Sequence, residues 1–277
     1  MDINVIILAG GKGLRLWPLT HRNTPKPLIK IQGKTLLEHT IERYTTLGKV
    51  FVMASKEAIE LFKSAIGDSD VEYIEETYPS GTALAMRQAA DQFLGKETLL
   101  FSPADQLIKP EKALYQAIQE NYQKAKKGKI VSFGLRPKSA SQQFGYICLN
   151  QQGEFYRFIE KPDKETANKL FLERKALCHM GIGMMRADTL ISEWEQHYQP
   201  GDESFDYAVL NKTSNIYPAI VNCSFKDMGT FDALFEYIPF EKQYDSLIHS
   251  SQIPVKIEGI DNLMVVVTEN GILIRKK

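Results

Sequence analysis

Residues 8–28, LAGGKGLRLWPLTHRNTPKPL, decide how the chain is read. They follow directly on residues 4–8, NVIIL, an apolar run without alternation, which predicts a strand buried on both faces. Gly10, Gly11 and Gly13 stand just past that strand, with Leu8 and Ala9 leading into them. Glycines in this place let backbone N–H groups come close to an anion and form a concavity for phosphate. Arg15 and Lys26 add fixed positive charge, Arg as a bidentate fork and Lys as a point charge. A dinucleotide fingerprint is excluded because Leu16 occupies the place of its third glycine, with Pro18 close behind. A Walker loop ending at Gly33-Lys34-Thr35 is excluded because Leu28 stands where its first glycine belongs. The plainer reading is a turn-rich loop with incidental charges. Three glycines, an Arg and a Pro-Lys-Pro after one buried strand favour phosphate.

Outward from this loop, apolar runs alternate with amphipathic segments. Helices are predicted over 34–47, 56–66, 82–94 and 110–127, with strands over 50–54, 71–75, 98–102 and 129–135. Such alternation implies a parallel sheet covered by helices on both faces. The pattern then changes: 145–149 and 154–160 flank Asn150–Gly153 and read as a hairpin, an inserted antiparallel lobe suited to an acceptor substrate. A helix over 163–173 with Asp163 as N-cap, strand 179–185, helix 187–197 and strand 217–223 return to α/β order. Residues 254–275 place Asn270-Gly271 between two apolar runs, a strong hairpin signal. An open β tail of this kind could pair two copies as a homodimer.

The chain has 277 residues, 43% hydrophobic and 25% charged, so it can bury a core without staples. Lys+Arg 34 against Asp+Glu 34 gives a net charge of zero, which argues against a field-driven nucleic-acid binder or a polybasic membrane protein. No stretch approaches the length of a membrane span, and the N-terminus lacks a basic region; a cytoplasmic protein is expected. Cys148, Cys178 and Cys223 form no CxxC pair, so neither a disulfide framework nor a zinc ribbon is expected.

Three further features carry candidate chemistry. Asp105, in Pro103-Ala104-Asp105, lies past the carboxyl end of strand 98–102, where open α/β sheets bind ligands. Facing a phosphate loop, its carboxylate suits magnesium. Asp227, in Asp227-Met228-Gly229, follows an apolar strand in the same manner. Taken singly, each aspartate reads equally as a turn residue. In Phe158-Ile159-Glu160-Lys161-Pro162, Glu160 suits sugar hydroxyls and Lys161 a sugar phosphate. Alternation along a strand keeps these two from simply pairing, although a terminus broken by Pro162 could turn both toward a cleft. A surface charge pair is the plainer alternative.

These features, in this order, resemble the sugar-1-phosphate nucleotidyltransferases, most of all the mannose-1-phosphate guanylyltransferase branch. LAGGKGLRLWPL with PKPL, SPADQLI (102–108), FGYI (144–147), FIEKPD (158–163), ESFDYAVL (203–210), KDMGTFDAL (226–234) and DNLMVVVTENGILI (261–274) match that pattern over nearly the whole chain. The resemblance implies an α/β, Rossmann-like (GT-A-like), mostly parallel mixed sheet flanked by helices, with an inserted antiparallel sugar-binding lobe and a C-terminal β tail. Residues 1–250 would be the nucleotidyltransferase domain, with 1–135 as its nucleotide half and 136–250 as its sugar-phosphate half; 251–277 would be the tail. It further implies that Leu8, Ala9, Gly10, Gly11, Gly13, Gly81 and Thr82 cradle the nucleotide while Arg15 and Lys26 hold its triphosphate. Asp105 and Asp227 would hold Mg2+, and Gly145, Glu160, Lys161 and His179 the sugar phosphate. The implied reaction joins an NTP to a sugar 1-phosphate and releases pyrophosphate, without a general base, since a phosphate monoester is already ionised near neutrality.

The chain departs from that pattern in three places. Pro79-Ser80-Gly81-Thr82-Ala83 stands where Arg-Asn-Thr-Ala is usual, His179-Met180-Gly181 where Asn-Ser-Gly is expected, and no repeats that could build the left-handed β-helix domain of many relatives are seen; within SPADQLI, Gln106 stands where His is usual. A heptose, fucose or glucose 1-phosphate, or another NTP, therefore stays open beside mannose 1-phosphate and GTP. A silent nucleotide-sugar binder is the rival of another class. It need not keep Arg15, Lys26, Asp105 and Asp227, all of which are present.

Overall fold

The apolar run before the glycine loop forms β1 (Ile3–Leu8), with Val5, Ile6 and Ile7 fully buried. The computed structural model describes residues 1–11, 13–67, 69–77, 81–243, 245–250 and 253–277, so Pro79 and Ser80 of the variant loop lie outside the described residues. Beyond the loop come the two-residue strands β2 (Lys30–Ile31) and β3 (Lys34–Thr35), then α1 (Leu36–Tyr44), β4 (Lys49–Ala54), α2 (Lys56–Ile66) and β5 (Glu72–Glu75). Next are α3 (Thr82–Ala90), β6 (Thr98–Pro103), β7 (Gln106–Lys109), α4 (Glu111–Lys126) and β8 (Ile130–Leu135). The second half comprises β9 (Tyr146–Leu149), β10 (Phe155–Ile159), α5 (Lys164–Glu173), β11 (Ala176–Arg186), α6 (Ala187–His197), β12 (Ile216–Ile220), β13 (Ser224–Asp227) and α7 (Phe231–Leu234). Four more strands follow: β14 (Glu241–Gln243), β15 (Ser246–Ser250), β16 (Leu263–Thr268) and β17 (Gly271–Lys276).

Local chemistry sets several boundaries. α1 starts at Leu36 and not at 34, because Thr35 and Glu38 exchange side-chain-to-backbone hydrogen bonds as a capping box. Asp163 caps α5 by accepting from the Thr166 N–H at 2.8 Å. The expected strand 217–223 ends early, at Ile220 of β12, and a second strand that was not expected, β13, follows and pairs with β7.

The central sheet has nine strands. β5, β4, β1, β6, β8, β12 and β9 run one way, β11 and β10 the other. Alternate residues of β1 feed two cores. Ile3, Val5 and Ile7 pack with α1, α2 and α4; Ile6 packs with α3 and α6. The antiparallel pair β9–β10 continues this sheet through β11. Along one edge, β11 pairs with β9 through Ala176–Cys178 and with β6 through Gly183–Arg186. Between those two stretches its register against β8 also shifts, from His179 to Gly183. The sheet therefore forks at residues 179–183: His179 is the last residue paired before the irregularity, opposite Gly134, and pairing with β8 resumes at Gly183.

A separate four-stranded sheet, β14-β15-β16-β17, spans the expected 250/251 boundary. Met264 and Val266 of β16 share a core with Leu16 of the glycine loop, Ile29 and Phe231. Among the described residues, no helix is long and apolar enough to cross a membrane, and Cys148, Cys178 and Cys223 are free thiols.

Candidate functional site

β1 lies between β4 and β6, so the chain moves first to one side of β1 and later to the other. A crevice opens outside the carboxyl ends of the strands at such a switch point. Here it is a cavity of about 560 Å3. Leu8, Ala9, Gly10 and Gly11 line it from β1, Asp105 from the end of β6, and Lys26 from the loop. Gly81 and Thr82 contribute from the head of α3, and His179 from the fork in β11.

Asp105 is clamped from both sides. Thr40 Oγ1 of α1 donates to the Ala104 carbonyl at 3.3 Å, and the wholly buried Arg43 donates to the Gln106 carbonyl at 2.8 Å. β7 then pairs antiparallel with β13, setting Gln106 opposite Asp227. That ladder, which sequence periodicity did not reveal, brings together two carboxylates 122 positions apart in the numbering. Lys26 lies between them, paired with Asp105 and 3.3 Å from Asp227 Oδ1. Burial pushes the Asp105 carboxyl up, while the Lys26 ammonium pulls it back and the Asp227 charge pushes it further up.

Arg15 is exposed on a short 3-10 turn, Leu14–Leu16, and does not line the cavity. Gly13 acts differently from Gly10 and Gly11: at φ +61° its backbone lies so close that a Cβ there would meet Lys26 Cβ at 2.9 Å. Its service is to seat the lysine. The head of α3 is tied to a distant segment, with Ala83 N–H donating to the Glu203 carbonyl and Phe205 N–H to Thr82 Oγ1.

Gly145, Glu160, Lys161 and His179 gather beside the fork. The His179 N–H donates to the Gly145 carbonyl at 2.8 Å, and a Cβ on Gly145 would meet Glu160 Oε2 at 2.6 Å. The expectation that Glu160 and Lys161 avoid each other is corrected. β10 ends at Ile159 and Lys161 adopts φ +41°, so strand alternation no longer applies and Lys161 Nζ lies 3.1 Å from Glu160 Oε1. The His179 ring is buried, 3.0 Å from Ser132 Oγ and 3.5 Å from Asp206 Oδ1, with its edge toward Phe158. Burial lowers its pKa to about 4, leaving it neutral at pH 7.

Three acidic residues absent from the sequence reading, Glu76, Glu203 and Asp206, also line this cavity. Asp206 opens a five-residue π-helical turn, Asp206–Leu210, and burial raises it to about 6, with Lys161 opposing. Glu76 follows β5 and faces Gly10, where an added Cβ would strike its Oε2; burial pushes its carboxyl up. Glu76 stands past a strand's carboxyl end, the same rule that singled out Asp105, so the signal existed.

The raised Asp206 has a stability consequence. Between its ordinary 3.8 and about 6, the native chain holds a proton that the unfolded chain has lost. The ionised form thus costs stability above pH 6, and the cost fades toward pH 4. Asp206→Asn should raise Tm at pH 7.5, by an increment that shrinks at pH 5. Thermal melts at the two pH values check this; an unchanged or lowered Tm at pH 7.5 contradicts it.

A glycine-rich loop at a switch point thus faces two carboxylates bridged by a lysine. The chain belongs to the nucleotidyl transferase family, whose model matches residues 4–244, and it is a nucleotidyltransferase. It is 26% identical to a mannose-1-phosphate guanylyltransferase of Salmonella muenchen, across 98% of this chain and 70% of that one. It is 24% identical to the alginate biosynthesis protein AlgA of Pseudomonas putida, across 98% and 68%. Its fold is similar to that of a Thermus thermophilus protein described as a mannose-1-phosphate geranyltransferase, with TM-score 0.82, 22% identity, and coverage of 100% of this chain and 95% of that one.

Proposed function

We propose that the protein transfers a guanylyl group from GTP to mannose 1-phosphate, giving GDP-mannose and pyrophosphate in the cytoplasm. The names of its relatives favour that pair, and one observation carries the base: the Glu76 carboxylate faces the cavity at Gly10, with burial alone acting on its ionisation. A carboxylate offers two acceptors and no donor. Guanine presents two adjacent donors, N1–H and the 2-amino group. Adenine and cytosine set an acceptor beside their amino group, and uracil and thymine offer a single N–H between carbonyls. Only guanine matches Glu76 at both oxygens.

The residues also fit Mg2+. Asp105 and Asp227 supply hard carboxylate oxygens from two converging strands, and Mg2+ is ordinarily held by one or two carboxylates together with substrate phosphates. When bound, it neutralises phosphate charge and aligns the reacting groups. The remaining tasks fall to the chain. Backbone at Gly10 and Gly11 receives phosphate oxygens. Lys26 and Arg15 offset charge on the departing pyrophosphate, a role that requires the exposed Arg15 to swing inward. Lys161 and Glu160 seat the acceptor phosphate and hydroxyls, and catalysis rests on positioning and charge.

Pyrophosphate release over a grid of GTP, ATP, CTP, UTP and dTTP against mannose, glucose, fucose and heptose 1-phosphates tests the pair. Release confined to GTP with mannose 1-phosphate supports it. Release with another sugar assigns the acceptor change to His179, while silence from a protein that binds a nucleotide sugar supports the non-catalytic reading. Glu76 has its own test in ITP, which lacks the 2-amino group. A hydrogen bond to a charged group is worth about 1.5–3 kcal/mol, so the wild type should favour GTP over ITP by roughly 10- to 150-fold in kcat/KM. Glu76→Gln should abolish most of that preference; a variant that keeps it removes Glu76 from base reading.

A further inference from the structure

Lys26 is held at one end and contested at the other. Its stem leaves a turn, Lys26–Leu28, flanked by Pro25 and Pro27, and is backed by Gly13 at a separation no larger side chain would allow. Its ammonium bonds Asp105 and lies 3.3 Å from Asp227 Oδ1, yet Lys26 also lines the cavity beside Gly10 and Gly11. The Lys26 side chain is only 12% exposed, so water screens its contact with Asp105 weakly, while the contact with the half-exposed Asp227 is looser. Two converging carboxylates repel one another, and the lysine is the cation that lets them approach.

The same ammonium therefore has two sets of anionic partners, the carboxylates and any phosphate in the cavity. It cannot satisfy both fully, because its stem is held at Cβ and its one ammonium must face either the carboxylates or the phosphates. We propose that Lys26 is the resident counter-ion of the Asp105–Asp227 pair and that it yields the carboxylates to a divalent cation, its ammonium turning to the nucleotide phosphates. This rests on the reading that the two aspartates hold Mg2+. Metal binding without nucleotide is then weak, since the lysine must be displaced with nothing to receive it. Metal and nucleotide bind cooperatively, and by linkage each strengthens the other by the same factor.

Mn2+ is the probe, with free ion read from its paramagnetic resonance signal and no sugar phosphate present, so that no turnover intervenes. Lys26→Met, which keeps the stem and removes the charge, should bind Mn2+ in the absence of nucleotide about tenfold or more tightly than the wild type, within the range usual for coupled sites. Lys26→Arg, which keeps a cation, should bind it as weakly as the wild type. Calorimetry should show that Mn2+ strengthens GTP binding by the wild type about tenfold or more and by Lys26→Met much less. Lys26→Met binding Mn2+ no more tightly than the wild type, while wild-type GTP binding still responds to Mn2+, overturns the inference and leaves the metal reading intact. If Mn2+ affects neither protein, with or without GTP, the metal reading fails and takes this inference with it. Should Lys26→Met not fold, Lys26→Gln carries the same comparison.

Discussion

Asp227→Asn is expected to lower kcat by about 10³-fold or more, the scale on which preorganised charge contacts act at a reacting phosphate. The fold should survive. Asp227 is 48% exposed and contributes a single 3.3 Å contact to Lys26, an ion pair worth about 0–1 kcal/mol at such exposure. Tm should therefore move by no more than about 2–4 °C. The ladder between β7 and β13 is made by backbone groups, and the Met228 N–H still donates to the Asp105 carbonyl at 3.1 Å. Pyrophosphate release and a thermal melt on one preparation separate the two effects. A rate near that of the wild type would remove Asp227 from the reacting centre.

Gly145→Ala is expected to act on the other substrate. The new methyl would lie 2.5 Å from the Phe158 ring and 2.6 Å from Glu160 Oε2, so the ring and the Glu160 carboxylate must shift from their present places. Overpacking of this kind costs about 1–3 kcal/mol, and a displacement near 1 Å can cost about 10²-fold in a positioned reaction. KM for the sugar 1-phosphate should rise about 10²-fold, with KM for the NTP within about twofold, because the nucleotide wall of the cavity is formed by other elements. Equal rises in both would contradict the assignment of Gly145, Glu160, Lys161 and His179 to the acceptor side.

Much of the α/β frame was legible because Ile3–Leu8 and the strands beside it are continuous apolar runs, and the covering helices carry one apolar stripe each. Other parts were hidden for identifiable reasons. β7 and β13 are four residues each, too short for a period to declare itself, and Gln106 interrupts the apolar pattern. Their pairing unites Asp105 with Asp227, yet it joins segments with no local relation. Glu160 and Lys161 were read by strand alternation one residue beyond the strand's end. Asp206 sits in a π-helical turn, where helical spacing gives no guide to which face a side chain takes. His179 was visible as an unusual residue, but its fixing by Ser132 and the Gly145 carbonyl depends on a fork in the sheet.

The far strands of the chain also reach the glycine loop. Trp17 packs against Gly271, and Thr268 Oγ1 and Asn270 Nδ2 both donate to the Pro18 carbonyl, at 3.0 and 3.3 Å. These partners are 250 and 252 residues apart, so the glycine loop is synthesised long before the strands that support it. At about 5–20 residues per second, a nascent chain waits roughly 12–50 s between the two events. Over that interval the glycine loop lacks the contacts that Thr268, Asn270 and Gly271 make with Trp17 and Pro18. The packing of Trp17 and Pro18 is therefore completed only when the β16–β17 hairpin has been made, so the first loop of the chain is among the last to reach its final surroundings.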